Sequence, residues 1–214
     1  MSTNYIPALG YRWLTGLYDP VVALTTRERT FKSALLAQAR LAPNQQVLDL
    51  ACGSGTLALM ALAREPGLAI TGVDGDPAML AQARRKAEVV GASLSLDEGL
   101  ADRLPYADAS FDRVLSSLFF HHLDRGTKLA ALREAHRVLK PGGELHIADW
   151  GRAANPLMRA AFVGIQLLDG FATTADSVAG LLPELMRTAG FANVQETRRF
   201  STVFGTMSLY SARQ

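Results

Sequence analysis

The sequence predicts an α/β fold in which a mostly parallel sheet is covered by helices on both faces. Five short apolar runs alternate with helical patterns between residues 47 and 150, as expected of strand–helix–strand units. Three acids, Asp49, Asp74 and Asp149, fall at or near the ends of predicted strands. Ligands of such sheets bind outside the carboxyl ends of the strands. We therefore expect a binding site at the edge where these acids meet.

Each predicted element follows from periodicity and from residues that begin or end it. The predicted strands are 47–51, 68–73, 93–96, 111–118, 144–150, 194–200 and 207–212, and the predicted helices are 20–40, 56–64, 77–90, 129–139, 156–168 and 175–189. Asp76 and Pro77 suit an N-cap and first helical residue, and Gly91 suits the end of that helix. The last two strands are separated only by residues 201–206, too few for a crossover helix, so they should pair antiparallel.

Composition narrows the class of protein. The chain has 214 residues, which suits one domain with a substantial core, and its net charge of +2 comes without a basic run. We therefore expect no nucleic-acid partner. The single cysteine, Cys52, indicates a reducing compartment, and the sequence shows neither a signal-peptide pattern nor an apolar run of about 20 residues. We expect a cytoplasmic protein without membrane insertion.

The most informative stretch is 47–56, which reads VLDLACGSGT. Its glycines allow a ligand to approach the backbone, and the following helix presents unpaired N–H groups at its start. Asp49 adds a negative charge where a phosphate would be repelled. This arrangement favours a ligand with an amine or a sulfonium.

A second interpretation of the same turn stays open at this point. Residues 53–58 also satisfy the loose dinucleotide pattern G-x-G-x-x-G/A, and Asp74 follows Gly55 by nineteen residues, where a ribose-binding acid belongs. An NAD(P)-dependent oxidoreductase is therefore an alternative. Asp49 and the predicted antiparallel C-terminal hairpin count against it.

Four segments together resemble a known family. They are VLDLACGSG (47–55), GVDGDPAML (72–80), LPYADASFDRVLSSLFFHHL (104–123) and LREAHRVLKPGGELHIADW (132–150). The chain is similar to class I S-adenosylmethionine (SAM)-dependent methyltransferases of the small-molecule type, such as the ubiquinone/menaquinone biosynthesis methyltransferases.

The resemblance implies a doubly wound, Rossmann-like, three-layer α/β/α domain with seven strands in the order 3-2-1-4-5-7-6. It further implies SAM as cofactor and methyl transfer to a small molecule, while a SAM-binding protein without turnover is a further alternative. Within one domain, we expect an N-terminal helical cap (1–40), a SAM-binding core (44–150), a lid insert (151–175) and a C-terminal helix and hairpin (176–214). The insert is rich in Leu, Ala, Phe and Met, which favours an apolar or aromatic acceptor.

The resemblance also assigns site residues. The implied cofactor-binding residues are Tyr18, Asp49, Ala51, Cys52, Gly53, Gly55, Asp74, Gly75, Met79, Leu100, Ala101 and Ser116. The glycine turn would hold the methionine part of SAM, and Asp74 would hold the ribose hydroxyls. The chain departs from the family at Gly75, where a bulky apolar residue is usual, and at Gly99-Leu100-Ala101, where G-D-A is common. Asp102 would contact the adenine if the register slips.

Methyl transfer needs a base only when the acceptor must lose a proton. The candidates at the ligand edge are His121, His122 and Asp149, although HHL at a strand end can equally pack and hydrogen-bond, and a strand-end acid can cap the next loop. Arg27, Arg29 and Lys32 could reach the SAM carboxylate, but a solvated helix face is the more ordinary account of all three. We expect no metal.

Overall fold

A computed structural model describes residues 27–214, in which strands and helices alternate as the sequence predicts. The strands are β1 (Gln46–Leu50), β2 (Ala69–Asp74), β3 (Ser95–Glu98), β4 (Phe111–Ser117), β5 (Leu139–Trp150), β6 (Ala192–Thr202) and β7 (Gly205–Arg213). The helices are α1 (Glu28–Ala39), α2 (Thr56–Arg64), α3 (Pro77–Val90), α4 (Arg125–Val138), α5 (Pro156–Ala161), α6 (Val163–Asp169), α7 (Phe171–Ala179) and α8 (Leu182–Thr188). A short 3-10 helix, Phe120–His122, follows β4.

The seven strands form one sheet in the order β3-β2-β1-β4-β5-β7-β6, which confirms the order that the resemblance implied. Strands β1 to β5 pair in parallel, and β7 runs antiparallel to both β5 and β6. The predicted fold class is therefore confirmed. The order reverses direction between β1 and β4, so the crevice expected for a ligand lies outside the ends of these two strands.

Buried apolar side chains on both faces explain why the strand sequences read as near-continuous apolar runs. In β1, Leu48 and Leu50 belong to a core cluster that also includes residues of α4 and α8. Val47 belongs to the opposite cluster, which includes residues of α1 and α2. Alternation along the strand thus places successive residues in different layers. Among the helices described, none is long and apolar enough to cross a membrane.

Local sequence signals set the bounds of the helices beside the site. The Asp76 side chain accepts a hydrogen bond from the Ala78 N–H at 2.8 Å, Pro77 begins α3, and Gly91 ends it with φ 65°. The predicted bounds 77–90 and 56–64 coincide with α3 and α2. The capping residues Asp76 and Gly91 decide the bounds of α3. The start of α2 has no side-chain cap of this kind.

Three predicted elements differ from the structure. The predicted helix 156–168 is divided at Phe162, which is buried against Trp150 with ring centroids 5.7 Å apart. The predicted helix 175–189 is likewise two helices, because Gly180 at φ 73° ends α7. Strand β5 begins at Leu139, five residues before the predicted start; pairing is irregular until Glu144 because Gly142 adopts φ 77°. The part of the predicted helix 20–40 before residue 27 lies outside the described residues.

Candidate functional site

A cavity of about 460 Å³ lies outside the carboxyl ends of β1, β2 and β4. Its walls are the turn after β1, the end of β2 with Gly75, residues 99–102 after β3, and residues 117–119 and 122–124 at and after the end of β4. Glu28 and Lys32 of α1, Met79 of α3, Thr127 of α4 and Thr173 of α7 complete the lining. The size is typical of a small-molecule site, and the position is the one that the strand order predicts.

The glycine turn is folded tightly and is tied to the neighbouring strand. Ala51, Gly53 and Gly55 all have positive φ, at 56°, 54° and 74°. The Gly53 N–H donates to Asp74 Oδ2 at 2.8 Å. A Cβ at Gly53 would lie 3.3 Å from Met79 Cε, so a side chain there would crowd both the turn and the cavity. The turn therefore offers backbone, and little side chain, to a ligand.

Asp74 occupies the wall between the turn after β1 and helix α3. Besides Gly53, it accepts a hydrogen bond from the Asp76 N–H at 2.9 Å through Oδ1. Burial raises the pKa of Asp74 above its ordinary value, although these two N–H groups oppose the shift. A half-buried carboxylate with both oxygens fixed in direction suits two neighbouring hydroxyl donors.

Asp49 lies beneath the turn and does not line the cavity. It is 1% exposed, and its Oδ2 accepts the Ala58 N–H at 3.1 Å. Burial raises its pKa to about 7, and the positive charge of Lys32 partly offsets that rise. The carboxyl group therefore titrates close to neutral pH and senses any cation that enters nearby.

The other predicted cofactor residues divide into two groups. Those that line the cavity are Ala51, Cys52, Gly53, Asp74, Gly75, Met79, Leu100 and Ala101. Asp49, Gly55 and Ser116 do not; the Ser116 hydroxyl instead donates to the Leu50 carbonyl at 3.0 Å inside the sheet. Tyr18 lies outside the described residues. The cofactor role of each residue stays a prediction.

Asp149, at the end of β5, organises the chain that leaves β4. Its Oδ2 accepts the N–H groups of Phe119 and Phe120 at 3.1 and 2.6 Å, and its Oδ1 contacts His121 Nδ1 at 2.6 Å. Asp149 and His121 are 1% and 4% exposed and do not line the cavity, whereas His122 does. Of the three predicted catalytic residues, only His122 is therefore placed to touch a ligand; all three roles stay predictions.

The Asp149 carboxylate and the His121 cation stabilise each other's charge. Burial alone would lower the pKa of His121, but the Asp149 carboxylate outweighs it and raises that pKa above its ordinary value. Burial would raise the pKa of Asp149, and the His121 cation instead holds it low. Burial and the neighbouring His121 lower the pKa of His122, which is therefore neutral when His121 is charged.

The sequence analysis misjudged the burial of Lys32 and did not identify Asp169. Lys32 is buried in the cavity wall, where its Nζ donates to Glu28 Oε1 at 2.6 Å, so the expectation of a solvated face was wrong for this residue. Helical spacing could have indicated this burial, because Glu28 and Lys32 lie on the same face of α1 as the apolar, buried Leu36. Asp169, at the end of α6, lies 3.6 Å from His121 Nε2, and no local sequence pattern indicates that contact.

Comparison with known proteins assigns the family. Residues 47–143 match the family described as a methyltransferase domain. The chain is 33% identical over 159 residues to an uncharacterized methyltransferase of Synechocystis sp., covering 72% of each protein. The chain belongs to the class I SAM-dependent methyltransferases. Family membership favours the sulfonium interpretation of the glycine turn over the dinucleotide interpretation.

The relatives whose names state a substrate are matched over only part of their length. The chain is 38% identical over 135 residues to a demethylmenaquinone methyltransferase of Deinococcus radiodurans, covering 63% of this chain and 55% of the relative. It spans about half the length of the curated relatives that it matches. A SAM-dependent methyltransferase structure from Methanosarcina mazei superposes with a TM-score of 0.67 at 20% identity, covering 84% and 96% of the two chains. That likeness concerns the fold.

The raised pKa of Asp49 predicts a pH-dependent stability in the ligand-free methyltransferase. The folded-state pKa of about 7 exceeds the ordinary value of 3.8, so the proton on Asp49 stabilises the folded state. This stabilisation is lost as pH rises through 7. Between pH 6 and pH 8 the free energy of unfolding should therefore fall by about 1 kcal/mol. Asp49→Asn should remove it, as measured by urea unfolding at pH 6, 7 and 8. Asp108→Asn, at an exposed side chain, is the control and should leave the pH dependence unchanged. If the free energy of unfolding has the same slope against pH in the wild type and in Asp49→Asn, the assignment to Asp49 is wrong.

Proposed function

We propose that this protein binds SAM in the cavity at the carboxyl edge of the sheet and transfers its methyl group to a small-molecule acceptor. The observation that carries the proposal is the junction of Asp74 with the glycine turn, where one carboxylate fixes the turn and lines the cavity. The net charge of +2 without a basic run supports a small molecule over a nucleic acid. The single cysteine and the bacterial relatives support a cytoplasmic location.

The residues present fit the cofactor. SAM, when bound, supplies an activated methyl group on a sulfonium sulfur, and its other polar parts are a ribose and a zwitterionic amino acid. Asp74 offers a carboxylate for the ribose hydroxyls, and the turn offers backbone groups. Glu28 and Lys32 offer one anion and one cation in the cavity wall. A zwitterion needs one group of each sign, so the Glu28–Lys32 pair can exchange its internal partner for the amino acid moiety.

The chain's own contribution to transfer is to hold the two reactants in line and to exclude water. Leu100, Leu118, Phe119 and Leu123 give the cavity an apolar wall, which supports an apolar or aromatic acceptor. His122 is the histidine that lines this space and is the candidate base for an acceptor that must lose a proton. For that role the bound acceptor has to offset the burial and the His121 charge that lower the His122 pKa. Thr173 belongs to the insert and also lines the cavity. We therefore propose that residues 151–175 act as a lid within a single domain.

The cofactor assignment is tested by calorimetric titration with S-adenosylhomocysteine. We expect micromolar binding to the wild type and at least tenfold weaker binding to Asp74→Asn, because the variant loses the charge that strengthens hydrogen bonds from the ribose. Glu98→Gln is the matched control: Glu98 pairs with Asp74 across β2 and β3 but does not line the cavity. Binding of NAD(H) or NADP(H) in place of S-adenosylhomocysteine would contradict the proposal.

The role of Lys32 can be separated from general damage to the cavity. Lys32→Met should weaken S-adenosylhomocysteine binding about tenfold or more, because the ligand's carboxylate loses its cation. Binding of 5′-methylthioadenosine, which lacks the amino acid moiety, should change little. Arg29→Met on the exposed face of α1 should affect neither ligand. If Lys32→Met weakens both ligands equally, Lys32 shapes the cavity and does not bind the carboxylate.

Turnover distinguishes an enzyme from a SAM-binding protein without activity. The names of the relatives direct the first choice of acceptor to a short-chain demethylmenaquinol, which is aromatic and apolar. We expect transfer of label from methyl-labelled SAM, with one S-adenosylhomocysteine formed per methylated acceptor, and loss of transfer in Asp74→Asn. Tight S-adenosylhomocysteine binding without transfer to this acceptor would contradict the assignment of the acceptor class.

A further inference from the structure

A cluster of possible metal ligands lies beside the cavity, outside the cofactor-binding residues. It consists of His121 and His122 in the 3-10 helix and Asp169 at the end of α6, and we call it the histidine–aspartate cluster. One ligand atom from each residue lies within 4.8 Å of the other two. We propose that this cluster binds one divalent transition-metal ion, with Zn²⁺ as the reference ion.

The separations within the cluster suit a shared ion. His121 Nε2 lies 3.6 Å from Asp169 Oδ2, and His122 Nδ1 lies 3.5 Å from Asp169 Oδ1. Both exceed the length of a hydrogen bond, about 2.7–3.2 Å. Ligand atoms at about 2.0–2.2 Å from a tetrahedral Zn²⁺ are separated by roughly 3.3–3.6 Å. The two contacts use different oxygens of Asp169, and one ligand atom from each residue lies within 4.8 Å of the other two. The side chains would therefore move closer by up to about 1 Å to hold one ion.

His121 already has the outer partner that a metal-bound imidazole normally has. Its Nδ1 lies 2.6 Å from Asp149 Oδ1, and Asp149 is fixed by the N–H groups of Phe119 and Phe120. This contact keeps one ring proton on Nδ1. An ion would take the Nε2 lone pair, on the side of Asp169, by displacing the proton that the charged imidazole carries there. A carboxylate behind a ligating histidine fixes the tautomer and the orientation of the ring. The Asp149–His121–Asp169 arrangement reproduces that pattern.

The charge of Asp169 is not neutralised by a lysine or an arginine among residues 27–214, where its ion-pair contacts involve only the two histidines. Lys128, the buried cation nearby, is instead bound to the Thr173 carbonyl and to Asp176, at 2.7 and 3.2 Å. His122 and Asp169 have 23% and 17% exposed side chains, so an ion could enter and keep an open coordination position. Two imidazoles and one carboxylate are a ligand set used by zinc and by non-haem iron.

Such an ion would connect two parts of the chain. The histidines belong to the segment after β4, and Asp169 belongs to the insert, 47 residues after His122. Ion binding would therefore fasten the insert to the edge of the sheet beside the cavity. Because of this separation, no local sequence pattern indicates a metal site, and ion binding would contradict the expectation of no metal.

The test is titration of chelator-treated protein with Co²⁺, followed by visible absorption, and with Zn²⁺, followed by calorimetry. We expect one ion per chain and at least tenfold weaker binding in Asp169→Asn and in His122→Gln. Asp108→Asn, at an exposed carboxylate that pairs with Arg137 and not with the cluster, should bind as the wild type does. Far-UV circular dichroism of each variant shows whether it is folded.

The wild type alone can overturn the proposal, because failure to bind either ion more tightly than about millimolar excludes the site whatever the variants do. Wild-type affinity in both folded variants would also overturn it, since the ion would then lie elsewhere. S-adenosylhomocysteine titration of the same samples keeps this result separate from the proposed function. Metal binding without S-adenosylhomocysteine binding would contradict the cofactor assignment alone, and the reverse would contradict the metal site alone.

Discussion

Buried carboxylates that bind backbone N–H groups hold the three turns from which the cavity is built. Asp49 holds the start of α2 through Ala58, Asp74 joins Gly53 to Asp76, and Asp149 holds the segment after β4. Each hydrogen bond to a charged group stabilises by about 1.5–3 kcal/mol, and a buried carboxylate left without such partners would cost more than that. The turns and the acids therefore depend on one another, and the cavity wall depends on both.

The three acids differ in how their charge is compensated. Asp149 has a histidine cation at 2.6 Å, which holds its pKa low. Asp49 has the Lys32 charge and the Ala58 N–H, Asp74 has N–H groups, and burial still raises the pKa of both. The side of the cavity formed by the glycine turn thus carries negative charge that the protein only partly neutralises. A cationic ligand relieves this cost, whereas a pyrophosphate would increase it, so the electrostatics of the empty protein agree with a sulfonium cofactor.

Sequence patterns predicted most of the fold because short-range signals coincide with the element bounds. The apolar runs that end in Asp49 and Asp74, and the Asp76–Gly91 capping pair, identify their elements without tertiary information. The division at Phe162 required knowledge of packing, whereas Gly180 is a local helix-ending signal that the apolar periodicity did not reveal. In the site, the sequence identified the chemical types but not the direction of side chains. It could not distinguish His122, which lines the cavity, from buried His121, nor could it place Asp169 beside them.

Polar contacts hold the insert to the core near the cavity, although apolar residues dominate its composition. Lys128 is 2% exposed and binds the Thr173 carbonyl of the insert. It also binds Asp176, directly after the insert, which Arg125 contacts at 2.6 Å. Leu167, Leu168 and Phe171, in contrast, are 71%, 72% and 56% exposed. Little apolar area beyond Phe162 and Ile165 would be uncovered if this part moved away, whereas each polar contact can be exchanged for water. Separating such a segment from the core costs less free energy than separating one anchored in it, which supports the proposal that the insert acts as a lid.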